Sequence, residues 1–485
     1  MVRRARVEVE VIFDVSDKSP NQGLPRSTTE DTEEHKGDLQ TQHDQLYRDP
    51  KDSSLPASSF KGSVCMIRSW TMVMAAFFAV SLTGFAQDKS GPLAELPSKP
   101  GEHIEKIKAM GDNQWLNLGA PAADPKWGKA RGSSWGAKAL ILAPDLRGAF
   151  LFGEGVHAYV KPDGHSMDDL WFYDINRHAW LCLYPGMNTK SFTQRVKAKE
   201  LVIDDSGQLI DNQRQPIPLH TLVHAWGYLT YDSDRKKFAF VSWSANPIPR
   251  YFLGGEKQMD DGLKLLEEQM TGKNKTVFSP WFYDVASGKF ERSPATNPTA
   301  INAGGFPQFH YLPSRKQFFA VGSDTVAIFD PATNQWTDAK PKGPAPKGYD
   351  ACGCYDSKRN RFYRNDGDGS KGEGLMAYDI QSNSWSHLNP AGTAPAPANT
   401  NAAFYEYDAR LDIVVAIHFS GKTPGVFAYN PQTNSWAEPL PFPADGPRFH
   451  FAANTCYDRE LNAFFCHVAG DSNDNGVVWV YRYNK

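Results

Sequence analysis

Histidine, arginine, tyrosine and tryptophan side chains recur at the ends of short apolar segments from Trp135 onwards. This mixture suits carbohydrate binding, because aromatic faces stack on sugar rings while Arg, Asn and Asp side chains bind hydroxyl or carboxylate groups. The candidate ligand-binding residues are Trp135, His224, Trp226, Trp243, His310, Tyr349, Asp350, Asn401, His418, Arg448, His450 and His467. Any single member is more often structural, so the prediction depends on the whole set.

Four residues of this chain are also candidates for catalysis: Arg448, His450, Tyr349 and His224. A uronate polysaccharide lyase needs a cation to neutralise the substrate carboxylate and a Tyr or His to abstract the C5 proton. The sequence therefore leaves two hypotheses open, a binding module and a carbohydrate-active enzyme of this kind. A scaffold for protein complexes is a third.

Two acidic turns match part of a calcium-binding loop. They contain Asp366 and Asp368 in one case and Asp471 and Asn473 in the other. Arg482 occupies the twelfth position of the second loop, where a calcium loop carries a bidentate Glu. We interpret both segments as turns, with calcium as the weaker alternative, and expect no other cofactor.

A repeated pair of aromatic residues identifies the elements that must position these side chains. The two aromatics lie seven positions apart across turn-forming residues, which is typical of a β-hairpin whose aromatics share one face. The pairs are Tyr173 and Trp180, Tyr283 and Phe290, Phe329 and Trp336, Tyr378 and Trp385, and Tyr429 and Trp436.

A second hairpin precedes each aromatic pair, so each unit has four short strands, which we name a to d in chain order. Units of this kind predict a β-propeller. The sixth unit has its a–b turn at Asp458 and reaches the end of the chain without strand d. Because Asn113-Gln-Trp115 resembles the missing strand, we predict an all-β, six-bladed propeller that this N-terminal segment closes.

The repeats resemble those of kelch-type propellers, which also form the central domain of galactose oxidase. The likeness covers residues 112–485 and lies in the paired aromatics and in the Asp and Arg of the a–b turns. The Gly-Gly doublet that kelch repeats carry after strand b is absent, so the copy is divergent. With the signal-peptide pattern described below, the chain resembles a divergent, secreted bacterial member of this family. The resemblance implies a fold and leaves activity open. A galactose-oxidase-like copper-radical oxidase is less favoured, because its Tyr, His and Cys ligands have no matching arrangement here.

Irregular insertions predict where ligands bind. The a–b and c–d turns repeat with little change, so we interpret their Asp and Arg residues as structural. Long insertions at 184–222 and 245–276 belong to the connections of blades one and two at the opposite end of the strands. The first contains a predicted hairpin over 201–210, and the second an amphipathic helix with Met259, Leu263, Leu266 and Met270 at helical spacing. We expect a cap beside the channel mouth, with packing decoration as the alternative.

The first part of the chain is predicted to lie outside the propeller. Residues 1–65 are polar and aperiodic, which indicates disorder or an upstream mis-start, and 66–86 have the pattern of a signal peptide. A signal anchor is the alternative, and 87–111 are expected to be a linker. A signal peptide implies a secreted or periplasmic protein. The net charge of −3 gives no basic field that would favour nucleic acid. We expect a carbohydrate or protein partner, no membrane span in the mature chain, and a monomer.

Cys456 and Cys466 flank one predicted hairpin, where a disulfide or a pair of free buried thiols is equally compatible with the sequence. Cys352 and Cys354 alternate along one strand and therefore face the same way, too close together for an ordinary disulfide.

Overall fold

The architecture is that of a six-bladed β-propeller in which each blade is a four-stranded antiparallel sheet. A computed structural model describes residues 91–130, 140–152, 169–186, 189–218, 227–241, 257–270, 280–294, 308–322, 325–346, 352–365, 374–396, 403–420, 424–447, 453–468 and 476–484. All of them belong to one compact unit, residues 84–485.

The strands follow the predicted order a to d within each blade. The first strand of the chain, β1 (Gln114–Gly119), belongs to the last blade. Blade one contains β2 (Leu140–Ala143), β3 (Gly148–Phe152), β4 (Leu170–Asp174) and β5 (Ala179–Tyr184). A separate hairpin follows it, formed by β6 (Leu201–Ile203) and β7 (Leu209–Asp211). Blade two contains β8 (Leu229–Asp232), β9 (Lys237–Phe240), β10 (Trp281–Asp284) and β11 (Lys289–Arg292).

The remaining blades repeat this plan. Blade three contains β12 (Gln308–Leu312), β13 (Gln317–Val321), β14 (Val326–Asp330) and β15 (Gln335–Asp338). Blade four contains β16 (Cys352–Asp356), β17 (Arg361–Asn365), β18 (Leu375–Asp379) and β19 (Ser384–His387). Blade five contains β20 (Ala403–Asp408), β21 (Ile413–His418), β22 (Gly425–Asn430) and β23 (Ser435–Trp436), with β24 (Leu440–Pro441) also paired to β22. Blade six contains β25 (Ala453–Asp458), β26 (Ala463–Val468) and β27 (Val477–Arg482).

The N-terminal strand closes the ring as predicted. Strand β1 pairs antiparallel with β27, which places Trp115 opposite Tyr481. These are the positions that Trp436 and Tyr429 occupy in blade five. Closure gives β27 a partner on its outer side and removes an exposed sheet edge.

The repeated aromatic pairs are cross-strand neighbours. In blade four Tyr378 lies opposite Trp385, with ring centroids 5.4 Å apart, and blade three pairs Phe329 with Trp336 at 5.1 Å. All four rings are buried. The hairpins therefore supply the core between blades, which is why the pattern recurs once per blade.

The polar residues of the a–b turns bind neighbouring turns and blades, as the sequence suggested. Arg147 of blade one contacts Asp458 of blade six, with an Nη2 to Oδ2 distance of 2.7 Å. Arg359 of blade four donates a hydrogen bond of 2.6 Å to Asp412 of blade five. These residues hold the ring together at the end that carries the a–b and c–d turns, which we call the turn-side end.

Two insertions pack together into one small subdomain. Helix α2 (Thr189–Lys197) and the β6–β7 hairpin come from the connection between blades one and two, and helix α3 (Lys257–Met270) comes from the b–c connection of blade two. Their shared core consists of Phe192, Val196, Leu201, Ile203, Leu209, Ile217 and Leu266. The predicted hairpin and the predicted amphipathic helix are both present, whereas α2 was not predicted. We call this subdomain the cap, and the end of the blades from which it arises the cap-side end.

One more helix precedes the propeller. Helix α1 (Glu102–Lys108) lies in the segment expected to be a linker, and it buries Ile104 and Ile107 in the main core cluster. The Arg482 guanidinium donates hydrogen bonds to the carbonyl oxygens of Ile107 and Met110, at 2.7 and 2.6 Å. The helix is therefore tied to the closing blade. No helix within the described ranges is both long and apolar enough to cross a membrane.

Candidate functional site

Buried polar side chains gather where strands begin or end at the cap-side end. In each blade, strands a and c begin at this end and strands b and d finish there. The residues concerned are nearly inaccessible to solvent, and they are Asp169, Gln308, Arg364, Asn365, His418, Asn454 and His467. Burial of polar groups is costly unless each finds a partner, so such a concentration is a feature to explain.

A hydrogen-bonded chain crosses the interface between blades four and five. The Asn365 amide donates to the Tyr405 hydroxyl at 2.7 Å, and this hydroxyl lies 2.8 Å from His418 Nε2. Burial lowers the pKa of His418 to about 4, so the imidazole is neutral at physiological pH. A neutral His418 can accept the hydroxyl proton at Nε2, which fixes the direction of the whole chain.

A second polar pair lies between blades three and four. Gln308 begins strand β12 and donates through Nε2 to the carbonyl oxygen of Tyr363, at 3.3 Å. A Cβ atom at Gly353 would come within 2.0 Å of the same Nε2, so glycine is required where this amide crosses to blade four. Arg364 lies opposite Gly353 in the β16–β17 pairing and is fully buried.

A third polar pair lies between blades six and one. Asn454 and His467 are cross-strand partners on β25 and β26, and the His467 ring lies 5.0 Å from that of Trp180 in blade one. Burial and the proximity of His178 lower the pKa of His467 to about 4. A Cβ atom at Gly476 would come within 2.2 Å of His467 Nε2, so a larger residue there would displace the imidazole.

Strand a of several blades also lines a cavity of about 450 Å³ along the central channel. Its walls include Ile141, Leu142, Leu229, Phe309 and Phe404, and its polar groups include Thr230, Gln308, His310 and Glu406. Arg147, Arg459 and Glu460 line it at the turn-side end. This volume is within the range of small-molecule sites.

Three of the predicted site residues lie in the described part of the chain. His310 lines the channel, His418 joins the chain with Asn365 and Tyr405, and His467 is buried between blades six and one. The others lie outside the described residues, and they are Trp135, His224, Trp226, Trp243, Tyr349, Asp350, Asn401, Arg448 and His450. The calcium candidates Asp366, Asp368, Asp471 and Asn473 also lie outside them.

Several polar groups of this region were missed by the sequence argument. Glu406 lines the channel, and Arg364, Asn365 and Tyr405 are buried at the cap-side end. Glu406 directly precedes a tyrosine of strand a, as His310 does, and this shared position could have identified it in the sequence.

None of the cysteines in the described part of the chain forms a disulfide. Cys456 lies opposite Phe465 and Cys466 opposite Thr455, so the two thiols point to opposite faces of blade six. Cys352 and Cys354 share one buried cluster, as expected from their alternation. In the same part of the chain, no group of three or more His, Cys, Asp or Glu side chains could hold a metal ion.

The sequence matches no protein-family profile and no curated protein sequence. A solved structure of a protein of unknown function from Bacteroides thetaiotaomicron is 9% identical, with a TM-score of 0.42, over 76% of this chain and 75% of that one. A gluconolactonase from Xanthomonas campestris is also 9% identical, with a TM-score of 0.39, over 80% of this chain and 97% of that one. Likeness at this level assigns neither a substrate nor a family.

Proposed function

We propose that this chain is a secreted or periplasmic binding protein of the kelch type whose cap-side surface holds a carbohydrate. The single observation that carries the proposal is the concentration of buried polar groups at the cap-side strand ends of blades three to six. Hydroxyl-rich ligands need a preorganised surface, and the buried Asn365–Tyr405–His418 chain and Gln308 fix the strand ends beneath it.

The position of the cap is a second argument for a binding surface at the cap-side end. Its core is separate from the cores between blades, and it joins connections that belong only to blades one and two. A propeller that needed only a stable ring would gain little from such a subdomain. Insertions concentrated at one end are common features of binding surfaces.

A glycan-array screen followed by calorimetric titration tests this proposal. We expect micromolar binding of a neutral or acidic oligosaccharide, and Arg448→Ala and His450→Ala should each weaken it at least about tenfold. Arg410→Ala, which alters an exposed arginine on the turn-side end, is the matched control and should leave binding unchanged. The proposal would be contradicted if Arg410→Ala abolished binding while Arg448→Ala and His450→Ala left it intact, because the ligand would then lie at the turn-side end.

A lyase assay on uronic-acid polymers separates the binding module from the carbohydrate-active enzyme. Formation of an unsaturated uronate, lost in Tyr349→Phe and His224→Ala, would overturn the binding-only assignment. Turnover that survives both variants would instead indicate a contaminating activity.

A further inference from the structure

The central channel contains a buried amide oxygen to which none of the described residues donates a hydrogen bond. Gln308, the first residue of β12, lines the cavity of about 450 Å³, and only 2% of its surface is exposed. Its Nε2 donates to the Tyr363 carbonyl oxygen at 3.3 Å, whereas its Oε1 has no donor in the described part of the chain. A carbonyl oxygen can only accept, so the amide cannot turn over without losing this bond. The orientation of the amide thus leaves Oε1 as the open acceptor.

The charged side chains of the same lining either have partners already or stand at its exposed rim. Arg147 forms ion pairs with Asp458 and Glu460, at 2.7 and 3.3 Å. Glu406 makes interactions of its own, and Arg459 is exposed at the turn-side end. A charged ligand inside the channel would compete with these existing contacts, whereas a neutral ligand leaves them in place.

The walls of the cavity are mostly apolar and include two aromatic rings. Phe309 and Phe404 are both buried, and the aliphatic side chains beside them include Ile141 and Leu229. An aromatic ligand gains ring contacts with such walls and removes its own apolar surface from water. A buried acceptor without a partner is costly, and a hydroxyl group on the ligand would supply the missing donor. The lining therefore fits a neutral aromatic molecule that carries a hydroxyl group.

We propose that the central channel is a second ligand site, in addition to the cap-side surface, and that it binds a small neutral aromatic molecule through one hydroxyl group. The hydroxyl donates to Gln308 Oε1, and the ring of the ligand lies against Phe309 and Phe404. The ligand enters from the turn-side end, where Pro144 and Arg459 are exposed. The site does not depend on carbohydrate binding at the cap-side end.

Calorimetric titration of the full chain with para-cresol tests the proposal at neutral pH. The comparison ligand is para-fluorotoluene, because fluorine is close to a hydroxyl group in size but cannot donate a hydrogen bond. We expect para-cresol to bind at least about tenfold more tightly, since only its hydroxyl satisfies the buried acceptor. Absence of para-cresol binding, or equal affinities for the two compounds, would overturn the proposal.

A substitution of Gln308 assigns the preference to its amide oxygen. Gln308→Met keeps the length of the side chain but removes the acceptor, so the ratio of the two affinities should fall to about one. Gln317→Met is the matched control, because Gln317 lies on strand b of the same blade and does not line the cavity. This control should keep the ratio of the wild-type chain. A ratio that Gln308→Met leaves unchanged would contradict the assignment.

A second variant covers the case in which Gln308→Met fails to fold. Ile141 is half-buried and lines the cavity from blade one, so Ile141→Trp should fill part of the channel. We expect this variant to weaken binding of both compounds at least about tenfold, because the added ring occupies the space of the ligand. Full binding of para-cresol by Ile141→Trp would place the ligand outside the channel. Glycan binding should be unchanged in this variant, so failure of either proposal can be recognised independently.

Discussion

At the scale of the residue, one hydrogen bond repeats in most hairpins. A tyrosine hydroxyl donates to the side chain five residues later, as from Tyr378 to Asn383 and from Tyr429 to Asn434 at 2.8 and 2.9 Å. The acceptor residue has positive φ, 51° at Asn383, a conformation that asparagine tolerates better than most residues. Blade one has His178 at this place, with its Nδ1 2.7 Å from the Tyr173 hydroxyl. The turn asparagines are therefore structural.

The buried Tyr405 hydroxyl should contribute more to stability than these turn hydroxyls. Tyr405→Phe leaves the Asn365 amide and His418 Nε2 without their common partner, at a cost of about 2–3 kcal/mol in the free energy of unfolding. Tyr429→Phe removes a partly exposed hydrogen bond and should cost about 1 kcal/mol or less. Urea unfolding of both variants measures the difference, and equal losses would show that the interblade chain has no special role.

Acid should destabilise the fold through the two buried histidines. The pKa of His418 and that of His467 are each about 4 in the folded chain, against about 6.5 for an unfolded chain. Between these values the unfolded state binds protons that the folded state does not, so stability falls as the pH falls from about 6.5 to 4. The loss is on the order of 3 kcal/mol per histidine.

Urea unfolding at pH 7.5 and pH 4.5 tests this dependence. We expect His418→Gln to be less stable than the wild type at pH 7.5 but to lose less on acidification. An identical pH dependence in the two proteins would refute the assignment to His418.

At the scale of the element, the connections between blades are part of the sheets they join. After strand d, Lys342 and Ala391 each form a parallel bridge to strand d of the following blade, at Ser384 and Ser435. The amide of Trp385 donates to the Lys342 carbonyl at 2.8 Å, and that of Trp436 donates to Ala391 at the same distance. Each connection thus covers the outer edge of the next blade, which protects it from pairing with another chain.

Glycine follows each of these bridges for a steric reason. Gly343 has a φ of 86°, and a Cβ atom there would come within 2.4 Å of the Trp385 carbonyl oxygen. Gly343→Ala should therefore cost about 1–3 kcal/mol more than Gly374→Ala, where φ is also positive but none of the described residues lies within 4 Å of the added atom. Thermal unfolding compares the two, and equal costs would exclude the steric explanation.

The two helices of the cap also approach closely at a glycine. A Cβ atom at Gly262 of α3 would lie 2.7 Å from the Phe192 ring of α2. Gly262→Val should separate the helices and increase proteolysis and hydrogen exchange across the cap, while the blades keep their protection. Ala198→Val, just after α2 on an exposed position, is the control. Loss of protection in all six blades would show that the cap is not an independent unit.

At the scale of the whole molecule, stability depends on closing the ring. Strand β1 supplies the outer strand of blade six, and Trp115 packs on Tyr481 and Phe442 with centroid distances of 4.6 and 5.1 Å. The Arg147–Asp458 ion pair closes the same junction at the turn-side end. Both contacts join segments more than 300 residues apart, so they form only when the whole ring is in place.

Removal of residues 1–119 should leave β27 with an unpaired edge. We expect a lower melting temperature and self-association, measured by calorimetry and light scattering. A synthetic peptide of residues 111–122 should restore the monomer, whereas the same peptide with Trp115→Ala should be much weaker. A truncated chain that stays monomeric and melts at the original temperature would show that closure by β1 is dispensable.

The sequence by itself determined the number of blades, the strand order, the closing strand, the inserted hairpin and the amphipathic helix. Each of these depends on local signals, namely strand periodicity, turn residues and the seven-residue spacing of the aromatics. Helix α2 and helix α1 were missed because they lie in short segments without a clear apolar period.

Only the tertiary structure decided which polar groups meet. Asn365 and Tyr405 are 40 residues apart and belong to different blades, so no local pattern connects them. The register of blade six also placed Cys456 and Cys466 on opposite faces of the sheet. The arrangement of the a strands around the channel brought Glu406 and His310 into one lining. The repeat specifies each blade separately, whereas the chemistry of the interfaces and of the channel arises where blades face one another.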